Sequence, residues 1–297
     1  MNLNPPGSSL KSEATERLEF TQTAHDYLDW YQRATVLRHG RRYSEALASY
    51  DRALELRPND YWAWYHRGNV LSDLKRHHEA IASYDRALEL RPNDYWAWYH
   101  RGNALGDLKR SHEAIASYDR ALELRPNDYW AWYQRGNVLD DLSCPEEAIS
   151  SYDKALDIKP DDYWAWYRRA EVLRHAKRYQ EATKSYRKAL DIRGDDYWAW
   201  YRLGLTWQEI QDYPQAIASL KKASAIKPHD PKVHYQIACC YASDESIADY
   251  VDRVVEFLQN SLSLDFDFYQ TLAAKEPKFT KIRDDRRFHA LMNSNND

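Results

Sequence analysis

Residues Asp60–Asn93 read DYWAWYHRGNVLSDLKRHHEAIASYDRALELRPN. The next 34, Asp94–Asn127, differ from them only at Val70/Ala104, Ser72/Gly106 and His77/Ser111. Trp64, Trp98, Trp132, Trp166 and Trp200 stand 34 residues apart. A fixed period of this size marks a chain in which each unit completes the core of its neighbour. Within the unit, Ala63, Trp64, Arg67, Gly68 and Leu71 follow helical spacing, and so do Ala80, Ile81, Tyr84, Ala87 and Leu88. Pro92 stops the second helix, and the Asn93-Asp94 pair supplies a cap for the next first helix. Period and pattern together predict an array of helix pairs.

Trp64, Gly68, Leu71, Ala80, Tyr84, Ala87 and Pro92 sit where the signature residues of the tetratricopeptide repeat (TPR) family sit, and the unit resembles that family. Arg67 stands in place of the family's usual leucine. Near-identical copies of this kind are similar to those of multi-repeat bacterial, especially cyanobacterial-type, TPR proteins. The resemblance implies an all-α, right-handed superhelical solenoid of antiparallel helix pairs with a concave groove lined by one face of the first helices.

The expected organisation follows from the repeat. Residues 1–25 read as a polar tail (MNLNPPGSSLK) with a capping helix from Ser12 to Ala24. Six 34-residue units run from Asp26 to His229 without insertion or deletion. Residues 230–264 form a degenerate seventh helix pair, whose alignment needs a four-residue insertion placed in the Ser243–Ser246 turn. Residues 265–297 carry Phe279, Ile282, Phe288 and Leu291 among charges and end at a frayed Asn293–Asp297. Asp284–Leu291 resembles the closing segment that follows many bacterial TPR arrays, which implies a cap over the last open helix face.

Composition narrows the function. The net charge is -4, which speaks against a nucleic-acid backbone or an anionic membrane as partner. Three cysteines, two of them adjacent (Cys239 and Cys240), make no disulfide framework and point to a reducing, cytoplasmic setting. No apolar run reaches membrane-spanning length. A glycine loop for phosphate, an H-E-x-x-H and a C-x-x-C are all missing, so no cofactor, metal or catalytic residue is expected. His66 and His100 recur with the repeat as scaffold, and His77-His78 read as exposed turn residues.

Gly68, Gly102, Gly136 and Gly204 lie inside helices, where glycine costs about 1 kcal/mol against alanine. Close approach of the paired helix offsets that cost, with Ala80, Ala114, Ala148 and Ala216 as the expected facing residues. All twelve tryptophans lie on first helices. Trp64 and its copies are predicted core residues, and Tyr61 and its copies are predicted to pack on the preceding repeat.

Trp62 and Tyr65 share another face with Asn69, the face that lines the groove in the TPR family. The strip repeats as Trp62-Tyr65-Asn69, Trp96-Tyr99-Asn103 and Trp130-Tyr133-Asn137, then changes to Trp164-Tyr167-Glu171 and Trp198-Tyr201-Leu205. One reading has the Trp residues merely covering the joint between first helices. The other makes the strip an aromatic track for an extended peptide, with Asn as hydrogen-bond donor and acceptor. Copies disagree in charge at the last turn. Asp73, Asp107 and Asp141 mark the middle repeats, with Arg38-His39 and Arg174-His175 at the flanks.

A partner peptide with apolar or proline residues and a few basic ones follows. The double change Tyr99→Ala with Asn103→Ala is expected to spare the fold. Carboxylate-clamp TPRs carry lysine where Tyr31, Tyr65 and Tyr99 stand, so that chemistry is not implied. The expected function is a protein-interaction scaffold, monomeric if capped. The rivals are binding of single-stranded RNA, or service as the sensor arm of an enzyme.

Overall fold

From the second unit on, each first helix begins on an aspartate. In the computed structural model, which describes residues 24–247 and 249–293, Asp60 Oδ1 accepts from the Ala63 N–H at 2.7 Å. Asp94 and Asp128 do the same for Ala97 and Ala131, both at 2.9 Å. These caps satisfy donors that a helix start leaves open. The far end of each first helix is closed by a residue in the left-handed region: Arg41, Lys75, Lys109, Ser143, Lys177 and Gln211, with φ between 56° and 64°. Beyond it, Arg76 N–H reaches back to Leu71 O at 2.8 Å while Lys75 N–H bonds Ser72 O at 2.9 Å. This is the glycine-favouring helix stop, built here mostly from long side chains. Lys75→Gly is therefore expected to raise stability by about 0.5–1 kcal/mol, read as a higher denaturant midpoint.

The chain divides into two compact units, Met1–Ser143 and Cys144–Asp297. In the first, helix α1 (24–39) is followed by α2 (Tyr43–Leu56), α3 (Tyr61–Asp73), α4 (His77–Leu90), α5 (Tyr95–Asp107), α6 (Ser111–Leu124) and α7 (Tyr129–Asp141). Consecutive helices from α2 onward pack on one another, and α3 also touches α5 as α5 touches α7. The second unit holds α8 (Pro145–Ile158), α9 (Tyr163–His175), α10 (Tyr179–Ile192), α11 (Tyr197–Glu209), α12 (Tyr213–Ile226), α13 (Pro231–Ser243) and α14 (Tyr250–Leu264). There too, consecutive helices pack together. The architecture is all-α, an array of helix pairs, with no strand among the described residues. None of the described helices is long and apolar enough to cross a membrane.

The core is built on tyrosine. Tyr50, Tyr84 and Tyr118 in the first unit, and Tyr152 and Tyr186 in the second, are among the largest side chains wholly removed from solvent, with Leu71, Leu105 and Leu173 beside them. The helix-internal glycines exist for these rings. A Cβ on Gly68 would fall 2.6 Å from the Tyr84 ring, and one on Gly102 would fall 2.7 Å from Tyr118. The close approach is as expected, but the facing group is the tyrosine ring rather than Ala80 or Ala114.

One other expectation is corrected. Trp64 and Trp98 are only partly buried against the core, because their indole N–H groups turn outward to Pro58 O and Pro92 O, each at 2.7 Å. Tyr61 is buried, and Arg91, at the end of the following second helix, lies 4.4 Å over its ring.

Arg67, at the position where leucine is usual, ties neighbouring pairs together. Its Nε donates to Asp51 Oδ1 on α2 and its Nη1 to Ser83 Oγ on α4, both at 2.7 Å. Arg101 repeats this with Asp85 and Ser117, and Arg169 with Asp153 and Ser185. In the sixth unit the place is taken by Leu203, 1% exposed.

After α12 the pattern loosens. The turn between α13 and α14 covers residues 244–249, six against three in the other pairs, and α14 has 15 residues against 14. Helix α15 (Phe266–Lys275), a 3-10 turn (Pro277–Ile282) and α16 (Arg286–Met292) then fold back on α13 and α14. Phe279 and Ile282 are buried there, and Tyr235 meets Phe279 edge-on at 5.9 Å. The N-terminal tail and capping helix fall on residues 1–23, and most of the frayed end on 294–297, outside the described residues.

Candidate functional site

The strip residues differ in what they expose. Trp62 and Trp96 are 45% exposed and Trp130 56%, whereas Tyr65 is 8% exposed. Trp62 stands edge-on to Tyr65 at 6.1 Å and stacks on His66 at 5.9 Å. Trp96 repeats this with Tyr99 and His100. From the end of the following second helix, Arg91 lies 5.4 Å over Trp62, and Arg125 lies 5.3 Å over Trp96. Trp62 and Trp96 are thus each flanked by a ring beside them and a guanidinium above them.

Tyr65 packs among Tyr61, Tyr84 and His100. Burial raises its pKa, and the Asn69 amide partly offsets the rise. Asn69 is also engaged: its Oδ1 accepts from the Tyr84 hydroxyl at 2.9 Å, as Asn103 Oδ1 does from Tyr118 at 2.8 Å. Asn137 donates to Gln134 Oε1 at 2.9 Å. Tyr133 stands edge-on to Trp130 and stacks on Tyr129. The Asn69 and Asn103 oxygens expected to meet a peptide therefore accept from core tyrosines. Tyr99→Ala with Asn103→Ala would strike the packing, contrary to the sequence expectation.

His66 and His100 are scaffold in a strict sense. Burial, with Arg38 and His39 beside it, brings His66 down to about 4 against the pull of Asp60. Burial alone brings His100 to about 4, opposed by Asp94. Both rings are neutral at pH 7. His77, expected in an exposed turn, starts α4 with its side chain 12% exposed and lies 3.5 Å from Asp107.

Asp73, Asp107 and Asp141 are exposed at the ends of α3, α5 and α7. Asp141 pairs with Lys109 at 2.8 Å. In the first unit the basic flank at Arg38 is partly committed, 3.4 Å from His66 Nδ1.

In the second unit Trp164 is 50% and Trp198 47% exposed. Arg193 lies over Trp164 at 5.7 Å, and Lys227 over Trp198 at 5.5 Å. Tyr167 meets Tyr186 edge-on. Glu171, in the asparagine's place, accepts from the Tyr186 hydroxyl and gathers Arg174 at 3.5 Å and Arg202 at 3.8 Å. Among the described residues no cluster of His, Cys, Asp or Glu could hold a metal ion. Cys239 and Cys240 are buried, and burial pushes the Cys240 thiol up to about 12. The arginines over the tryptophans were missed in the sequence, although Arg91, Arg125 and Arg193 recur at one place in the period, where Arg57 lies over Tyr27.

Helix pairs repeated with one aromatic strip define a protein of the repeat-array class. Tetratricopeptide repeat models match residues 61–94, 95–128 and 129–162, then 161–229 and 36–75. Together they run from residue 36 to residue 229, more than half of the chain. The chain belongs to the tetratricopeptide repeat family.

Among solved structures it is similar to YrrB, a TPR protein with an unusual peptide-binding site, at 25% identity and TM-score 0.55, covering 60% of this chain and 92% of that one. It is similar in fold to MamA, at 23% identity and TM-score 0.56, covering 58% and 93%. The C-terminal part of a TPR protein from Cytophaga hutchinsonii aligns at 16% identity and TM-score 0.69, covering 83% and 99%. No curated protein matches in sequence.

Proposed function

We propose that the protein is a non-catalytic interaction scaffold that binds an extended segment of a partner protein along its exposed tryptophans. The observation that carries this is the return of a half-exposed, oriented indole at Trp62, Trp96 and Trp130 on helices that touch in succession. A ring of this size left in water at every repeat is costly unless a partner covers it. YrrB, with its peptide-binding site, supports the same reading. The contact residues in the first unit are then Trp62, Trp96 and Trp130, with Tyr65, Tyr99 and Tyr133 bracing them; in the second unit the corresponding residues are Trp164 and Tyr167. Asp73, Asp107 and Asp141 draw basic residues of the partner. RNA as partner finds no support in a net charge of -4.

The test is a peptide array probed with the full chain and with Trp62→Ala/Trp96→Ala. Peptides retained by the wild type are expected to lose at least about tenfold in affinity on the variant at unchanged helicity. Asp107→Lys is expected to slow association with basic peptides in a salt-dependent way. Retention untouched by the tryptophan changes would move the site to another face.

A further inference from the structure

We propose that Trp62, Trp96 and Trp130 take a polyproline-II segment with proline at every third residue. The inference rests on the strip being a peptide site, and two features of the strip select this conformation.

The first is spacing. Helices α3, α5 and α7 touch in succession, and packed helices lie about 8–10 Å apart. Identical positions on them therefore repeat at about that distance. A polyproline-II chain advances three residues per turn at about 3.1 Å each, so every third side chain returns at about 9 Å. A segment laid across the three helices would set one proline on each indole. A β-strand, at about 3.3 Å per residue with alternating faces, returns a same-face side chain at about 6.6 Å and falls out of step.

The second is hydrogen-bond balance. The inner tryptophans Trp64 and Trp98 give their N–H to backbone carbonyls. The indole N–H groups of Trp62, Trp96 and Trp130 find no acceptor among the described residues. Arg91 and Arg125 add guanidinium donors above the same rings. The amide oxygens of Asn69 and Asn103, on the same helix faces, accept from Tyr84 and Tyr118. Directly over the tryptophans the surface thus offers donors, and its exposed acceptors are the carboxylates of Asp73, Asp107 and Asp141 at the far ends of the same helices. A proline-rich chain is the peptide that matches: it brings carbonyls and, at each proline, no N–H to leave stranded. Because polyproline II has no internal hydrogen bonds, those carbonyls are free.

The experiment uses the full chain and two synthetic peptides of about twelve residues. They share one composition of proline, alanine and arginine. One carries proline at every third position, and the other carries it at irregular spacing. Calorimetry and tryptophan fluorescence are expected to show the in-register peptide binding about tenfold tighter. Trp96→Phe keeps a ring and loses the N–H, and is expected to weaken binding by about three- to tenfold. Trp96→Ala is expected to weaken it further.

Equal binding of the two peptides, no binding of the in-register one, or an unchanged affinity in Trp96→Phe overturns the polyproline proposal. The strip as a peptide site survives that result if a proline-free peptide pool binds and loses affinity on Trp96→Ala. It falls as well if Trp96→Ala leaves every bound peptide unaffected. Binding of poly(U) in place of peptides overturns both.

Discussion

Tyr118→Ala is expected to lower stability by about 3–5 kcal/mol, and Trp98→Ala by only about 1–2 kcal/mol, despite the larger indole. Tyr118 is 2% exposed, closes on Gly102 and gives its hydroxyl to Asn103. Its removal leaves a cavity between two helices and an amide oxygen without its donor. Trp98 is partly solvated and bonds its own preceding loop, so less packing is lost with it. Denaturant midpoints followed by circular dichroism compare the two directly. Tyr118→Phe, keeping the ring, isolates the hydroxyl at about 0.5–1.5 kcal/mol. A larger loss at Trp98 than at Tyr118 would reverse the assignment of the core.

Acid is expected to weaken the first unit well above the carboxylate range. His66 and His100 are held near 4 in the folded chain against an ordinary value of 6.5. Above 6.5 both are neutral whether the chain is folded or not, and their contribution is complete. Between 6.5 and 4 the unfolded chain takes up protons that the folded one refuses, so stability falls as pH falls through that window. The loss is roughly 1–2 kcal/mol per histidine by pH 5. Burial is the main cause for both rings; around His66, Arg38 and His39 add to it and Asp60 opposes, and at His100 Asp94 opposes.

The fourth repeat supplies the control, since Gln134 stands where His66 and His100 stand. His66→Gln with His100→Gln is expected to flatten the decline between pH 7.5 and 5, measured as denaturant midpoints. Carboxylate pairs such as Arg101–Asp85 are common to both proteins and cancel in the comparison. An equal decline in both would show that the two rings protonate freely in the folded chain.

The helix pairs were legible because period, glycine and proline are statements about backbone geometry, which local sequence carries. Which aromatic ring lies inside was not legible. Tyr84 and Trp64 both fall on inward spacing, and choosing between them depends on where an indole N–H finds an acceptor, here a loop carbonyl six residues back. The strip was legible as a face but not in its division of labour. Tyr65 and Asn69 looked as available as Trp62, yet the Tyr84 hydroxyl from the partner helix reaches Asn69 and the ring itself covers part of Tyr65. Contacts made across 15 residues leave no trace in a helical wheel. Arg67 was a visible departure from the family pattern whose purpose lay in Asp51 and Ser83, each 16 residues away.

That arginine bears on how such a chain can lengthen. Every middle unit carries the same three parts: an aspartate offered forward, a serine offered within, and an arginine that reaches both. A duplicated unit spliced between two of these meets correct partners on either side at once. The coupling is closed under copying, so gain or loss of whole units conserves every charge pair. The supply stops in the fifth unit, where Arg187 stands in the aspartate's place, and Leu203 of the sixth unit asks for no such partner; Lys221 holds the same place in α12. Growth of the array with every pair conserved is thereby confined to the stretch ahead of the fifth unit, where the copies are most alike.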